Sequence, residues 1–149
     1  MHAASLSVAG LNHLGVAVAD LAAARAFYEQ ALGARFDDEE VVADQGVRVA
    51  FLTVGSGPSA VRIELLEPLD SDSPIAKFLA KRGPGLHHVA YTVDDVGEAL
   101  AAAGRCGLSA IDARPRRGAH GAEIAFLHPK STGGLLTELC RPAEAACPR

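Results

Sequence analysis

Apolar and polar positions along the chain follow a strand-like spacing, then a helical one, and this alternation occurs twice. The segment LNHLGVAV at 11–18 is apolar and rich in β-branched residues, as in a β-strand. The following LAAARAFYEQAL spaces its apolar residues as a helix does, with Asp20 as N-cap and Gly33 at the end. Further strands are predicted at about 34–42, 46–54 and 60–67. The first module, about residues 10–68, is therefore β-α-β-β-β.

The second half of the chain repeats this order over about residues 86–141. A strand at 87–93 leads to Asp95, which is suited to cap a helix that runs through Ala103. Three more strands are predicted, near 108–113, 121–128 and 133–141. The pattern indicates an α+β fold of two tandem βαβββ modules.

A short linker helix is predicted between the modules, at about 73–83. Ser73 is a natural N-cap, and Pro74 occupies the first helical position, where its missing N–H costs nothing. Gly83 is placed to end the helix. The whole arrangement is expected to form a single domain over residues 8–141.

The two modules also match residue by residue. His13 and His88 each lie on the first strand of a module, at an offset of 88 − 13 = 75. The tripeptide Ala50–Leu52 recurs as Ala125–Leu127 at the same offset. Self-similarity at a fixed spacing indicates a structural repeat, in which equivalent residues occupy equivalent places.

Two glutamates complete the repeated set. Glu64 and Glu138 lie on the last strand of each module, and alternation across a strand points each away from its apolar neighbours. Taken singly, a strand His is more often structural and a strand Glu often faces solvent, but the matched offsets favour a shared role. If the modules pack about a pseudo-twofold axis, His13, Glu64, His88 and Glu138 converge. Two imidazoles and two carboxylates suit Co²⁺, Mn²⁺, Ni²⁺, Fe²⁺ or Zn²⁺.

Composition narrows the functional classes. The chain has 149 residues, 49% hydrophobic and 21% charged, which is typical of a globular protein without a membrane span. Its net charge of −4 argues against a nucleic-acid partner. The start MHAASLSVAG has no targeting character. The three cysteines, Cys106, Cys140 and Cys147, lack C-x-x-C spacing and indicate a reducing compartment. A cytoplasmic protein is expected.

These motifs resemble the vicinal oxygen chelate superfamily of glyoxalases, bleomycin resistance proteins and dioxygenases. Within it, the segments NHLGVAV, QGVRVAFL, SPIAKFLAKRG and FLHPK…GG…EL are similar to methylmalonyl-CoA epimerases, over about residues 10–141. The resemblance implies that the two modules form a cupped, open, barrel-like sheet around a metal site. It implies a divalent metal held by His13, Glu64, His88 and Glu138, and α-proton abstraction from an acyl-CoA through an enolate. It also implies that Glu138 serves both as a ligand and as a base.

One position departs from part of this family. Some members carry a second basic glutamate where this chain has Val49, and valine cannot move a proton. Another residue or a water must then transfer the second proton. Glu64, as the pseudo-symmetric partner of Glu138, is the first choice among the residues.

Four further residues are candidates for substrate binding. Gln45 and His120 occupy equivalent loop positions before the third strand of each module and could orient a substrate carboxylate. Their alternative role is local hydrogen bonding in turns. Lys77 and Lys130, with other basic residues nearby in sequence, could meet CoA phosphates, although such charges usually face solvent. The expected partner is an acyl-CoA small molecule, with no nucleic acid or membrane, and a homodimer is expected.

Two alternative functions use the same fold. A glyoxalase I-type lyase would act on a thiol hemithioacetal with the same four ligands, but a DPDG-like turn would be expected before the last strand. A non-catalytic small-molecule binding module generally lacks the full ligand set. The joint presence of His13, Glu64, His88 and Glu138 argues against the second alternative.

Overall fold

The structure is a computed structural model that describes residues 5–144. The same order of helices and strands occurs in it twice. The helices and strands are β1 (Gly10–Ala17), α1 (Leu21–Ala31), β2 (Arg35–Val42), β3 (Val47–Val54), β4 (Val61–Pro68), α2 (Pro74–Arg82), β5 (Gly85–Thr92), α3 (Val96–Arg105), β6 (Arg116–Arg117), β7 (Glu123–Leu127) and β8 (Thr137–Arg141). A β-α-β-β-β series therefore stands on each side of α2. The predicted α+β class with two βαβββ modules is confirmed.

One compact unit comprises residues 12–89, and its strands lie in the order β2-β3-β4-β1-β5. β1 runs parallel to β4, whereas β3 is antiparallel to both β2 and β4. One face of the sheet packs against α1 through a buried apolar cluster of Val18, Leu21, Ala34, Ala50, Leu52, Ile63 and Leu65. Because side chains alternate along a strand, the opposite face carries Phe51 and Glu64, which are directly paired between β3 and β4.

The first turn of α1 is held by two carboxylates. Asp20 caps the helix as predicted, and its Oδ1 accepts a hydrogen bond from the Ala23 N–H at 3.0 Å. Glu67 on β4 accepts the Leu21 N–H at 2.7 Å. Helix N-termini favour negative charge and leave backbone donors without intrahelical partners. Glu67 therefore fixes α1 to the sheet at the end where the chain leaves β1.

The other compact unit comprises residues 5–11 and 90–144 of the described chain. Its β6, β7 and β8 form antiparallel pairs, and α3 packs on them through Val93, Val96, Ala99, Ala103, Ala125, Leu127 and Leu139. α3 begins at Asp95, whose Oδ1 accepts the Glu98 N–H at 2.9 Å, as predicted. The boundaries of a single domain over 8–141 stay a prediction.

The predicted strand at 108–113 is wrong. This segment makes only an isolated bridge between Ala110 and Leu127, and the strand that follows α3 is the two-residue β6. A side chain replaces part of the ladder here, because Asp112 Oδ2 accepts the Phe126 N–H at 2.8 Å. Pro115, just before β6, has no N–H to donate. An apolar run beside β7 therefore does not become a regular strand.

The linker helix agrees with its prediction. Ser73 Oγ accepts the Ile75 N–H at 3.1 Å, Pro74 opens the helix, and Gly83 ends it with φ of 73°. Between residues 5 and 144, the structure has no helix of the length and apolarity needed to cross a bilayer. Cys106 is exposed and Cys140 is buried, and Cys147 lies outside the described residues.

We expect Glu67→Ala to lower the free energy of unfolding by about 1–2 kcal/mol, because it leaves the Leu21 N–H without its charged acceptor. Glu67→Gln should lose less, since an amide oxygen can still accept. Glu39→Ala is the matched control: Glu39 makes an exposed ion pair with Arg48, and its loss should cost within about 0.5 kcal/mol. Urea unfolding measures all three. Equal losses for Glu67→Ala and Glu39→Ala would contradict the assignment.

Candidate metal centre

Three of the predicted ligands meet in the unit formed by residues 12–89. His13 lies on β1, Glu64 on β4 and His88 on β5, which are neighbouring strands of that unit. The Nε2 atoms of the two histidines are 3.1 Å apart, and His13 Nε2 is 2.7 Å from Glu64 Oε2. One donor atom from each residue lies within 4.8 Å of the others, a spacing that allows all three to bind one ion.

The glycine at position 15 allows the His88 ring to lie close to Glu64. Gly15 pairs with Glu64 across the parallel β1–β4 ladder, and the His88 ring packs directly over it. A Cβ added at Gly15 would overlap the His88 ring at Cε1, so the imidazole would have to move. The absence of a side chain at this position therefore sets where His88 can place its Nε2.

The chemistry of the donors fits a cation. His13 and His88 are each 4% exposed, and the Glu64 side chain is 14% exposed. A carboxylate this deeply buried is costly without a compensating charge. If both imidazoles carry their proton on Nδ1, their Nε2 atoms direct lone pairs towards the Glu64 carboxylate, which also has only lone pairs. A proton or a metal ion between these three donor atoms removes the repulsion. Two imidazoles and a carboxylate suit a borderline divalent ion.

Glu138 lies on β8 in the other compact unit and is 5% exposed. It is paired with Phe126 between β7 and β8, as Glu64 is paired with Phe51 between β3 and β4. The two glutamates therefore have the same position in the two copies of the repeat. This equivalence agrees with the prediction that the two glutamates are counterparts in the repeat. That Glu138 takes part in the metal site stays a prediction.

The four candidate substrate-binding residues lie at turns and on one helix. Gln45 is half-buried at the end of the turn Ala43–Gln45, and Lys77 is exposed on α2. His120 is exposed in the turn before β7, with φ of 53°. Lys130 is exposed in the turn before β8.

Sequence reasoning missed two residues beside the cluster. Asn12 Oδ1 is 2.7 Å from His13 Nδ1, and His87 Nδ1 is 2.9 Å from His88 Nδ1. Each precedes a predicted ligand, and their offset is again 87 − 12 = 75. The repeat could have indicated them, but Asn and His are different residue types, so a search for identical pairs does not find them.

The sequence of this chain matches a known protein family. The profile of the Glyoxalase/Bleomycin resistance protein/Dioxygenase superfamily matches residues 12–126. The chain belongs to this superfamily. Ethylmalonyl-CoA/methylmalonyl-CoA epimerase of Cereibacter sphaeroides is 42% identical to it over 131 residues, which cover 87% of this chain and 95% of that protein.

Solved structures of methylmalonyl-CoA epimerases are also similar to this chain. Methylmalonyl-CoA epimerase from Mycobacterium tuberculosis has a TM-score of 0.87 and 43% identity, covering 97% of this chain and 94% of that one. Methylmalonyl-CoA epimerase of Streptomyces coelicolor, in a variant bound to 2-nitronate-propionyl-CoA, has a TM-score of 0.87 and 39% identity, covering 93% of this chain and all of that one. The predicted superfamily and its fold are confirmed.

We expect Gly15→Ala to weaken binding of a divalent ion by about tenfold or more, because the added methyl group displaces the His88 ring. Gly104→Ala is the matched control: Gly104 lies in α3 with nothing within 4 Å of an added Cβ, and its replacement should leave metal affinity unchanged. Competition with a chromophoric chelator measures the affinity, and thermal unfolding verifies the fold. Wild-type affinity in Gly15→Ala would contradict the role given to Gly15.

Proposed function

We propose that this chain is a metal-dependent isomerase that interconverts the 2R and 2S forms of methylmalonyl-CoA. The observation that carries this proposal is the His13–Glu64–His88 cluster in a chain similar over nearly its whole length to methylmalonyl-CoA epimerases. The similarity of this chain to the ethylmalonyl-CoA/methylmalonyl-CoA epimerase of Cereibacter sphaeroides supports a branched malonyl thioester as the substrate class.

His13, Glu64, His88 and Glu138 are the residues proposed to hold the ion, which would be Co²⁺, Mn²⁺, Ni²⁺, Fe²⁺ or Zn²⁺. When bound, such an ion supplies Lewis-acid stabilisation of the negative charge that develops on the thioester oxygen. The chain supplies the remaining requirements. The near-complete burial of His13 and His88 keeps water away from their donor atoms, which strengthens electrostatic interactions at the site.

Epimerisation needs one group to remove the α-proton and another to return a proton on the opposite face of the α-carbon. Glu138 is proposed as one of these groups, because the resemblance to the family gives its counterpart both a ligand and a base role, and its side chain is buried at 5% exposure. Val49 is buried on β3 and has no atom that can accept a proton. Glu64 is proposed as the second group, because its carboxylate lies at the cluster itself.

The acyl-CoA would be held by residues at the turns. Gln45 and His120 are proposed to orient the substrate carboxylate, and Lys77 and Lys130 to meet CoA phosphates; the exposure of the lysines supports this role. A homodimer and a cytoplasmic location remain proposals drawn from the sequence. The relatives reported above favour epimerisation over the glyoxalase I-type lyase and over a non-catalytic binding module.

The proposal predicts that the protein exchanges the α-proton of methylmalonyl-CoA for deuterium in D₂O, and that a chelator abolishes the exchange. Mass spectrometry measures the incorporation, and adding back a divalent ion should restore it. Methylglyoxal with a thiol is the control substrate and should not turn over. Turnover of the hemithioacetal without exchange into methylmalonyl-CoA would instead establish the lyase, and stoichiometric ligand binding without either reaction would establish a binding module.

Glu64→Gln should retain some metal, because its amide oxygen and both histidines remain as ligands. Turnover should nevertheless fall by about 10²–10⁴-fold, since an amide cannot accept the proton. Metal content is measured together with the epimerisation rate, so a loss of ion can be separated from a loss of proton transfer. Epimerisation near the wild-type rate would show that Glu64 is not the second proton-transfer group.

A further inference from the structure

The outer nitrogens of both cluster histidines are held by the residues that precede them. His13 Nδ1 lies 2.7 Å from Asn12 Oδ1, and His88 Nδ1 lies 2.9 Å from His87 Nδ1. These two contacts occupy the same position in the two copies of the repeat. The contacting residue is an asparagine in one copy and a histidine in the other.

The partner of His13 determines which of its ring nitrogens carries the proton. An amide oxygen only accepts, so Asn12 Oδ1 requires the proton of neutral His13 to be on Nδ1. The same tautomer of His88 requires His87 Nδ1 to accept, with the His87 proton on Nε2. In both ligands the Nε2 atom then presents a lone pair, and these are the two atoms that lie 3.1 Å apart at the cluster.

We propose that Asn12 and His87 are positioning residues that fix the tautomer and ring orientation of the two histidine ligands. This inference rests on the proposed metal site and concerns residues that do not themselves contact the ion. Outer hydrogen bonds of this kind typically account for a 10–100-fold difference in metal affinity. The two contacts occupy equivalent positions in the repeat. A side chain that accepts the Nδ1 proton of the histidine in one copy should therefore be able to do so in the other.

His87 also has a packing role from which its hydrogen bond must be separated. Its ring meets the Phe78 ring edge to face, with the centroids 5.0 Å apart. His87→Phe keeps an aromatic ring against Phe78 but removes the acceptor. His87→Asn removes the ring but restores an acceptor near the Nδ1 position, and it makes the second contact chemically like the first.

The experiment measures Co²⁺ affinity of the metal-free protein by competition with a chromophoric chelator, together with the visible spectrum of the Co²⁺ form. We expect His87→Phe to bind about 10–100-fold more weakly than wild type with an altered spectrum. His87→Asn should retain affinity close to wild type. The reverse order, with His87→Asn weak and His87→Phe unaffected, would overturn the proposal in favour of simple ring packing.

Asn12 provides a second test that does not involve Phe78. Asn12→Leu has a similar volume and no acceptor, and it should weaken Co²⁺ binding by about 10–100-fold. Asn12→Asp keeps an acceptor oxygen and should bind as tightly as wild type or more tightly. Equal affinity in Asn12→Leu and Asn12→Asp would overturn the positioning role of Asn12.

The result for wild type separates this inference from the proposed function. If wild-type protein binds no divalent ion, the metal-dependent function fails. If wild type binds Co²⁺ and all four variants bind it equally, only the positioning role fails. Thermal unfolding of each metal-free variant verifies that it is folded, and the Asn12 pair decides the question should a His87 variant not fold.

Discussion

The site depends on three electron-pair donors that face one another where water is largely excluded. The Nε2 atoms of His13 and His88 and the Oε2 atom of Glu64 lie close enough to bind a single ion. Without a positive charge among them, these atoms repel one another, and the mostly buried carboxylate loses much of its hydration without compensation. A cation removes both penalties together. The buried polar cluster is therefore better explained as a binding site than as an incidental part of the core.

Backbone geometry brings these donors together. Parallel pairing of β1 with β4 places Gly15 beside Glu64, and the missing side chain at Gly15 leaves room for the His88 ring. On the opposite face of the same strands, apolar side chains pack against α1. Because side chains alternate along a strand, one face of the sheet carries the apolar core and the other carries the candidate metal site.

The repeat extends beyond the ligands. Phe51 pairs with Glu64 as Phe126 pairs with Glu138, and the contact of Asn12 with His13 has its counterpart in that of His87 with His88. Membership of the superfamily accounts for the shared fold, and similarity to methylmalonyl-CoA epimerases accounts for the proposed substrate. Under the positioning role proposed for Asn12 and His87, the two copies would orient their histidines with different residues.

The sequence by itself determined the α+β class, the two modules, the caps at Asp20, Asp95 and Ser73, and the pairing of His13 with His88. Each of these depends on local periodicity, capping chemistry or repetition, which the linear order of residues records directly. Only the tertiary structure decided that 108–113 is irregular, because the Asp112 carboxylate takes a backbone donor of β7 that a strand would have used. The tertiary structure also decided that the His88 ring leaves no room for a side chain at Gly15, and that Asn12 contacts His13 and His87 contacts His88. Those facts depend on distances between atoms brought together by folding, and residue types alone do not contain such distances.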